Sequence, residues 1–456
     1  MEEDRFQIYK KALEEQPDCA AAVREAEARG NLPFYARLYL HTFAPVIVKF
    51  AGWVLEEAVK TGKKRLYFLS RDGYQPYLAA KALAEYRGLA IECRYLHVSR
   101  YAIRVPAYHL DMQNGLRQIC AGGIDVTPEK LLKRGALTET ECMETAKRLG
   151  LREGYRDILH YRQLRQVRQI LEKDDSFLQY VKKHSMESYA AVMGYLTQEG
   201  LLSDIPYALV DSGWVGTLQQ SIELLVQSKR PQLYVEGYYF GLYEIPAGAR
   251  HDAYHTYYFA PDSGLQRKVR FSNSFFEAVC SADEGITLGY AQRDGSFFPR
   301  QERKGLNGAH MQWHQKTLQL FLLHYKEEQK PDTEKTMIEG LFTALMSCPS
   351  GLEVNSFGNL LFSDDVREEG DSYLAADLTK KEIKNQYILR KLCIIAGLKK
   401  EMLRESAWVE GSIVKNGIRK GKYGGSRYIK RELFHIRLQK CLIYARKQIK
   451  SGKKRK

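Results

Sequence analysis

The chain has 456 residues and a mass of 52.5 kDa, too long for one ordinary domain and suited to roughly two or three. With 44% apolar and 27% charged residues, a mostly disordered chain, a collagen-like chain and a small disulfide scaffold are excluded. The net charge of +15 resembles that of a nucleic-acid binder until it is located: Gly411 to Lys456 holds 16 Lys/Arg and one acid, Glu432, so the remainder is neutral. The basicity therefore concerns a partner of the C-terminal segment and not of the body.

Residues 1–62 read as helical, a polar opening helix divided from a more apolar one (roughly Tyr35 to Thr61) by Gly30 and Pro33. The start, MEEDRFQIYKK, lacks the apolar core of a signal peptide, and none of the eight cysteines forms a C-x-x-C pair, which fits a reducing cytoplasm. The apolar run Leu38 to Leu55 contains His41 and Lys49 and reads as a buried helix, not a membrane span.

Arg65 to Ser70 is a short apolar run suited to a buried strand. Arg71-Asp72-Gly73 then forms a tight loop before a helical pattern from Gln75 to about Tyr86, and a second strand is expected over Ile91 to Ser99. This is a βαβ unit. Residues 112–200 look mostly helical. Strand, loop and helix then recur as Tyr207 to Val210, Asp211 to Thr217 and Leu218 to Val226, with a further strand over Gln232 to Tyr243. Residues 246–300 are aromatic and suggest short strands and turns. Residues 305–400 return to helix, with a polar stretch at 350–358. The expected fold is α/β, a Rossmann-like, mostly parallel sheet core with helical N-terminal and C-terminal additions. Its regions are a helical segment 1–62, the core 63–245 with a helical insertion at 112–200, a mixed then helical region 246–400, and a basic amphipathic tail 401–456.

Ligands of open α/β sheets bind beyond the carboxyl ends of the strands, where a loop entering a helix offers free N–H groups to an anion. The first loop offers Arg71, Asp72 and Gly73, and the second Asp211, Ser212, Gly213, Gly216 and Thr217. Parallel strands would bring Ser99, Arg100 and Arg104 to the same rim. Arginines suit phosphate or carboxylate. Asp72 and Asp211 suit Mg²⁺, sugar hydroxyls, or base or nucleophile chemistry, and the competing role for each is a helix N-cap. His251 and His255, and His310 and His314, have the spacing of ligands on one helix face. The first pair lies in a strand-like segment, and the second lacks the Glu of H-E-x-x-H. The aromatic runs Tyr238-Tyr-Phe240 and Tyr257-Tyr-Phe259 suit a core.

Four motifs occur in order: Leu66-Tyr-Phe-Leu-Ser-Arg-Asp-Gly-Tyr74, Tyr95-Leu-His-Val-Ser-Arg100, Val210-Asp-Ser-Gly-Trp-Val-Gly-Thr217, and Phe276-Glu-Ala-Val-Cys-Ser-Ala282 followed by Gly289-Tyr290. Over about residues 36–290 the chain resembles the region downstream of the HAD domain in bacterial predicted HAD-superfamily hydrolases associated with surface-polysaccharide and glycosyltransferase genes. Tyr74 and Gly213 stand where a HAD nucleophile would need its second acid, so that catalytic pair is not found. The resemblance adds Glu277 as a second acid. A weaker likeness is to type I phosphoribosyltransferases, whose pyrophosphate and ribose-phosphate loops occur in the order of Arg71–Gly73 and Asp211–Thr217.

Together these readings imply a phosphate- or nucleotide-sugar-binding enzyme of bacterial surface-polysaccharide biosynthesis. Asp211, Asp72 and Glu277 would be catalytic, and the arginines and glycines would hold the anion. Mg²⁺ is the candidate cofactor. The alternatives are a protein binding phosphoribosyl pyrophosphate and a non-catalytic module docking glycosyltransferases at the membrane. Arg427 to Lys450 can form a basic helix with Phe434, Leu438, Cys441, Ala445 and Ile449 on one face, broadened by Leu433, Leu442 and Ile443 and extended by Lys453 to Lys456. Such a helix favours an anionic membrane surface over nucleic acid, which would make the protein cytoplasmic and peripheral on the inner face of the membrane.

Overall fold

The computed structural model describes residues 2–122, 126–302, 307–328, 333–362, 372–395, 398–399, 404, 406–419 and 422–454. It opens with α1 (Glu2–Leu13), α2 (Pro17–Arg29) and α3 (Phe34–Lys60). One polar helix was expected before Pro33. Pro17 divides it, because proline starts a helix well and breaks its interior. By length and composition α3 could cross a membrane, yet 94% of its apolar window is buried inside the protein. Its Lys49 is buried against Asp18 of α2 at 2.7 Å, and the helix is the spine of the core.

The first βαβ unit is β1 (Arg65–Leu69), α4 (Tyr74–Tyr86) and β2 (Glu92–Leu96). A helical excursion follows: α5 (Arg100–Ala107), α6 (Met112–Ile119), α7 (Pro128–Arg134), α8 (Glu139–Arg148), α9 (Tyr161–Leu171) and α10 (Asp175–Gln198). Ser99, Asp111, Thr127, Thr138 and Asp174 start five of these helices, each accepting the N–H three residues on. The excursion packs a core of its own around Leu116, Leu131, Phe177 and Val181.

The chain returns through β3 (Tyr207–Trp214), α11 (Thr217–Gln227), β4 (Glu236–Leu242) and β5 (Tyr254–Phe259). The sheet order is β2-β1-β3-β4-β5, with every pair parallel. Leu66, Phe68, Val210 and Phe240 join the core built on α3 and α4. Tyr67, Leu69, Tyr207 and Leu209 join the opposite one with α5, α10 and α11. Burial on both faces is why these strands read as unbroken apolar runs. The chain thus forms an α/β, Rossmann-like core with helical additions.

Residues 246–300 differ from the expectation of short strands and turns. They contain α12 (Leu265–Arg270) and α13 (Asn273–Cys280) before the hairpin β6 (Thr287–Arg293) and β7 (Ser296–Gln301). In α13, Phe276 stacks on Phe240 at 4.4 Å and Phe275 meets Trp408 at 4.5 Å. Tertiary burial here outweighs the strand preference of aromatic residues. Next come α14 (Gly308–His324), α15 (Glu334–Phe342) and α16 (Gly351–Phe357). The polar stretch at 350–358 is helical because Ser350 and Glu353 form a capping box.

A short pair, β8 (Leu361–Phe362) and β9 (Ser372–Tyr373), precedes α17 (Lys380–Asn385), α18 (Ile388–Ile395), α19 (Val409–Ile418) and α20 (Lys422–Lys454). The basic segment is not a free tail. Ile413 and Val414 of α19 are buried, and Leu433 of α20 packs with Ile413 and Ile383, so it leaves the outer face on which it was expected. Arg455 and Lys456 lie outside the described residues.

His314 illustrates how the core treats charge. It is buried on α14, stacks on Tyr39 at 4.5 Å and shares Nδ1 with the Val279 carbonyl at 3.1 Å. Burial, and secondarily His310, pushes its pKa down to about 3. The unfolded chain takes up this proton near pH ~6.5, so stability should fall as pH drops from there towards ~3, by up to about 1.4 kcal/mol per unit from this group. Urea denaturation at two pH values checks this: His314→Gln should lose less stability than the wild type on acidification.

Candidate functional site

The strands β2, β1 and β3 run in one direction, so their carboxyl ends share a rim. The strand order reverses direction between β1 and β3, and such a switch point leaves a crevice beyond the strand ends. A cavity of about 510 Å³ lies there, within the usual range for a small-molecule site. Arg71 and Asp72 enter it after β1, Ser99, Arg100 and Arg104 after β2, and Asp211, Gly213, Gly216 and Thr217 from β3 and the start of α11. Glu277 faces them from α13.

Two of the sequence candidates do not line the cavity. Gly73 lies beneath the first turn, where a Cβ would collide with the Leu69 carbonyl. Ser212 is buried, because successive strand residues point to opposite faces.

The segment Asp211–Trp214 is strand and not loop: Asp211 pairs with Tyr239 and Trp214 with Leu242. Gly213 has φ +117°, and a Cβ there would strike the Gly241 carbonyl. Gly216 has φ +68°, with the Tyr254 ring 2.6 Å from where a Cβ would lie. Only glycine meets both demands. Gly216 starts α11 and Gly73 starts α4, and neither helix has a side-chain cap. Asp72 and Asp211 are therefore not helix caps.

The cations are held differently. Arg104 donates from Nη2 to Thr217 Oγ1 at 2.7 Å, and its buried Nε has no partner among the described residues. Burial, then the charge of Arg100, pushes its pKa down to about 10. Arg71 donates to the Glu284 carbonyl at 3.5 Å, and its own carbonyl accepts from Ala282. Arg100 makes no hydrogen bond or ion pair through its side chain with the described residues, although it lines the cavity.

Burial raises the pKa of Asp72, opposed by Ser212 and then by Arg71 and Arg100. Asp211 is raised well above the usual carboxylate range, by burial first and then by the charges of Asp72 and Glu277. Glu277 accepts the indole N–H of Trp214. Three facing carboxyls in a desolvated site do not all ionise at modest cost. The arrangement favours the protonated form of Asp211 beside neighbouring carboxyls, the kind of unequal environment that acid–base chemistry uses.

Asn273 and Ser281 also line the cavity. With Glu277 they recur every four residues from the start of α13 to the residue that caps its end, and that spacing was the signal for both. Asn307 brackets Leu361 through two hydrogen bonds of 2.9 Å and had no sequence signal. His251 lies in a 3₁₀ turn and His255 in β5, so these two share no helix face. Among the described residues no three His, Cys, Asp or Glu are grouped to hold a metal ion. Mg²⁺ is often bound through one or two carboxylates plus substrate phosphate and water, and Asp72 and Asp211 would be those carboxylates here. Compared with known proteins, the chain matches no family model and no curated protein.

Because Asp211 binds its proton more tightly folded than unfolded, ionisation of the unfolded chain drains stability as pH rises from ~4. Asp211→Asn removes this loss. Its melting temperature should exceed that of the wild type at pH 7, and the gain should vanish near pH 4. Differential scanning fluorimetry across that range measures it.

Proposed function

We propose that the cavity binds a phosphorylated or nucleotide-linked sugar and that the protein is an enzyme acting on it in bacterial surface-polysaccharide assembly. The observation that carries this reading is the pairing, at one switch-point cavity, of three arginines with three carboxyls. Arg100 has no ion-pair partner among the described residues, which favours an absent anion over an internal salt-bridge network. The surface-polysaccharide setting comes from the resemblance of the four motifs, three at strand ends and one on α13.

In this reading Arg71, Arg100 and Arg104 take the phosphate oxygens, with the uncapped start of α11 supplying N–H groups. Gly213 and Gly216 permit close backbone approach. Asp211, whose carboxyl is held well above the usual carboxylate range, is the candidate donor to a leaving oxygen, and Asp72 the candidate acceptor of a proton or a sugar hydroxyl. Glu277, held by Trp214, keeps the proton on Asp211 through its own charge. Asp72 and Asp211, when ionised, would be the residues to hold Mg²⁺, which would supply neutralisation of phosphate charge.

The test is a calorimetric titration of nucleotide sugars, phosphosugars and phosphoribosyl pyrophosphate, with and without Mg²⁺. A phosphosugar or nucleotide sugar should bind. Arg100→Gln should weaken it about 10- to 100-fold, the worth of a charged hydrogen bond, while leaving the melting temperature unchanged. Binding of phosphoribosyl pyrophosphate alone would favour the phosphoribosyltransferase likeness, and an Arg100→Gln variant that binds as well as wild type would overturn this assignment of the site.

A further inference from the structure

The helix α20 is apolar on two opposite faces. One face is docked. Leu433 and Ile436 are buried with Ile383 and Ile413. Tyr444 stacks on Tyr243 at 5.1 Å, Lys440 meets the buried Glu410 at 2.6 Å, and Lys447 meets Glu244 at 2.6 Å. The other face carries Phe434, Leu438, Leu442 and Ile449, exposed by 61%, 49%, 57% and 63%. Their spacing of four, four and seven residues places them on one line along the helix. Since the docked face already anchors α20, this second stripe is not needed to hold the helix in place.

The edges of the stripe are basic. Lys430 and Arg437 lie along one side, and Arg446 and Lys450 along the other. The one acid of the segment, Glu432, is buried on the docked side against Tyr387 and Arg431.

We propose that this outer face of α20 is a docking surface for an anionic lipid membrane. An apolar stripe between basic edges inserts at the headgroup boundary and is drawn there by negative lipid charge. A second copy of the chain would set basic edges against basic edges. A nucleic acid would use the charges and leave the stripe in water. Only a surface both apolar and anionic satisfies both features. The inference stands on α20 and is independent of the cavity's ligand.

The experiment uses the full chain with phosphatidylcholine vesicles, alone or with about one-third phosphatidylserine. Co-sedimentation should require phosphatidylserine and weaken as salt rises. The triple variant Phe434→Ser, Leu438→Ser, Leu442→Ser changes exposed side chains only, and circular dichroism and melting temperature confirm that it folds. It should bind vesicles roughly a hundredfold less tightly, the worth of three large apolar side chains. Equal pelleting of both proteins overturns the proposal, as does failure of the wild type to pellet. So does a wild-type dimer that the variant converts to monomer without any vesicle binding, or RNA binding by both proteins in place of lipid binding.

Discussion

The parallel pairing of β1 with strands on both sides is the constraint on which the site depends. Arg65 aligns with Glu92 of β2 and with Tyr207 of β3, so three chain segments distant in sequence reach their carboxyl ends together. Parallel strands require crossovers, which lay α4 on one face and α5, α10 and α11 on the other, and α3, which precedes β1, completes the first layer. The inner strands β1, β3 and β4 are thereby largely dry on both sides, and β3 loses its burial only towards its carboxyl end. Polar chemistry has one place to go, and the charged residues that follow each apolar run collect there.

That position has an electrostatic cost which the surroundings share out. Asp72 and Asp211 come from adjacent strands, and Glu277 from a helix laid across their ends, so their charges oppose one another in a poorly solvated space. Arg100 and Arg104 offset this without an ion pair to any carboxyl among the described residues. Arg104 is tied to Thr217, and Arg71 to the 282–284 backbone. Arg100 and Arg104, not consumed by the carboxyls among the described residues, keep their field available for a ligand, as preorganised electrostatic sites require.

Much of this was legible in the sequence because an apolar run ending in Arg-Asp-Gly, or in Asp-Ser-Gly, marks where a buried strand meets solvent. The strands, their parallel arrangement and the shared rim follow from that. What was not legible depends on tertiary contact. Phe275 and Phe276 fall in a stretch expected to form short strands and turns, yet they sit on a helix, where Phe240 of β4 partners Phe276 and Trp408 partners Phe275. Ser212 was assigned to the site by position, and alternation along β3 turns it from the cavity while leaving it beside Asp72; Gly73 contributes only its backbone, packed against the Leu69 carbonyl. The C-terminal helix was expected to carry one apolar face. It carries two, since an exposed line and a docked line superpose in sequence whenever residues at both spacings are apolar.

The continuation of β3 past Val210 joins these threads. If the strand had ended at Val210, Asp211 would belong to a loop with no ladder to fix its direction. Pairing with β4 through Trp214 instead fixes Asp211 in the ladder and holds it beside Asp72. The extension demands φ +117° at Gly213 and φ +79° at Trp214. A bulky residue at positive φ persists only where its surroundings over-determine it. Here they do: the Trp214 carbonyl accepts from Tyr243 at 2.8 Å, its ring packs against Phe271 at 5.3 Å, and its indole N–H is given to Glu277. One strained residue thus couples the edge of the sheet to the third carboxyl. The same Tyr243 carries Tyr444 of α20 on its ring, so the basic helix rests on the strand end that shapes the cavity.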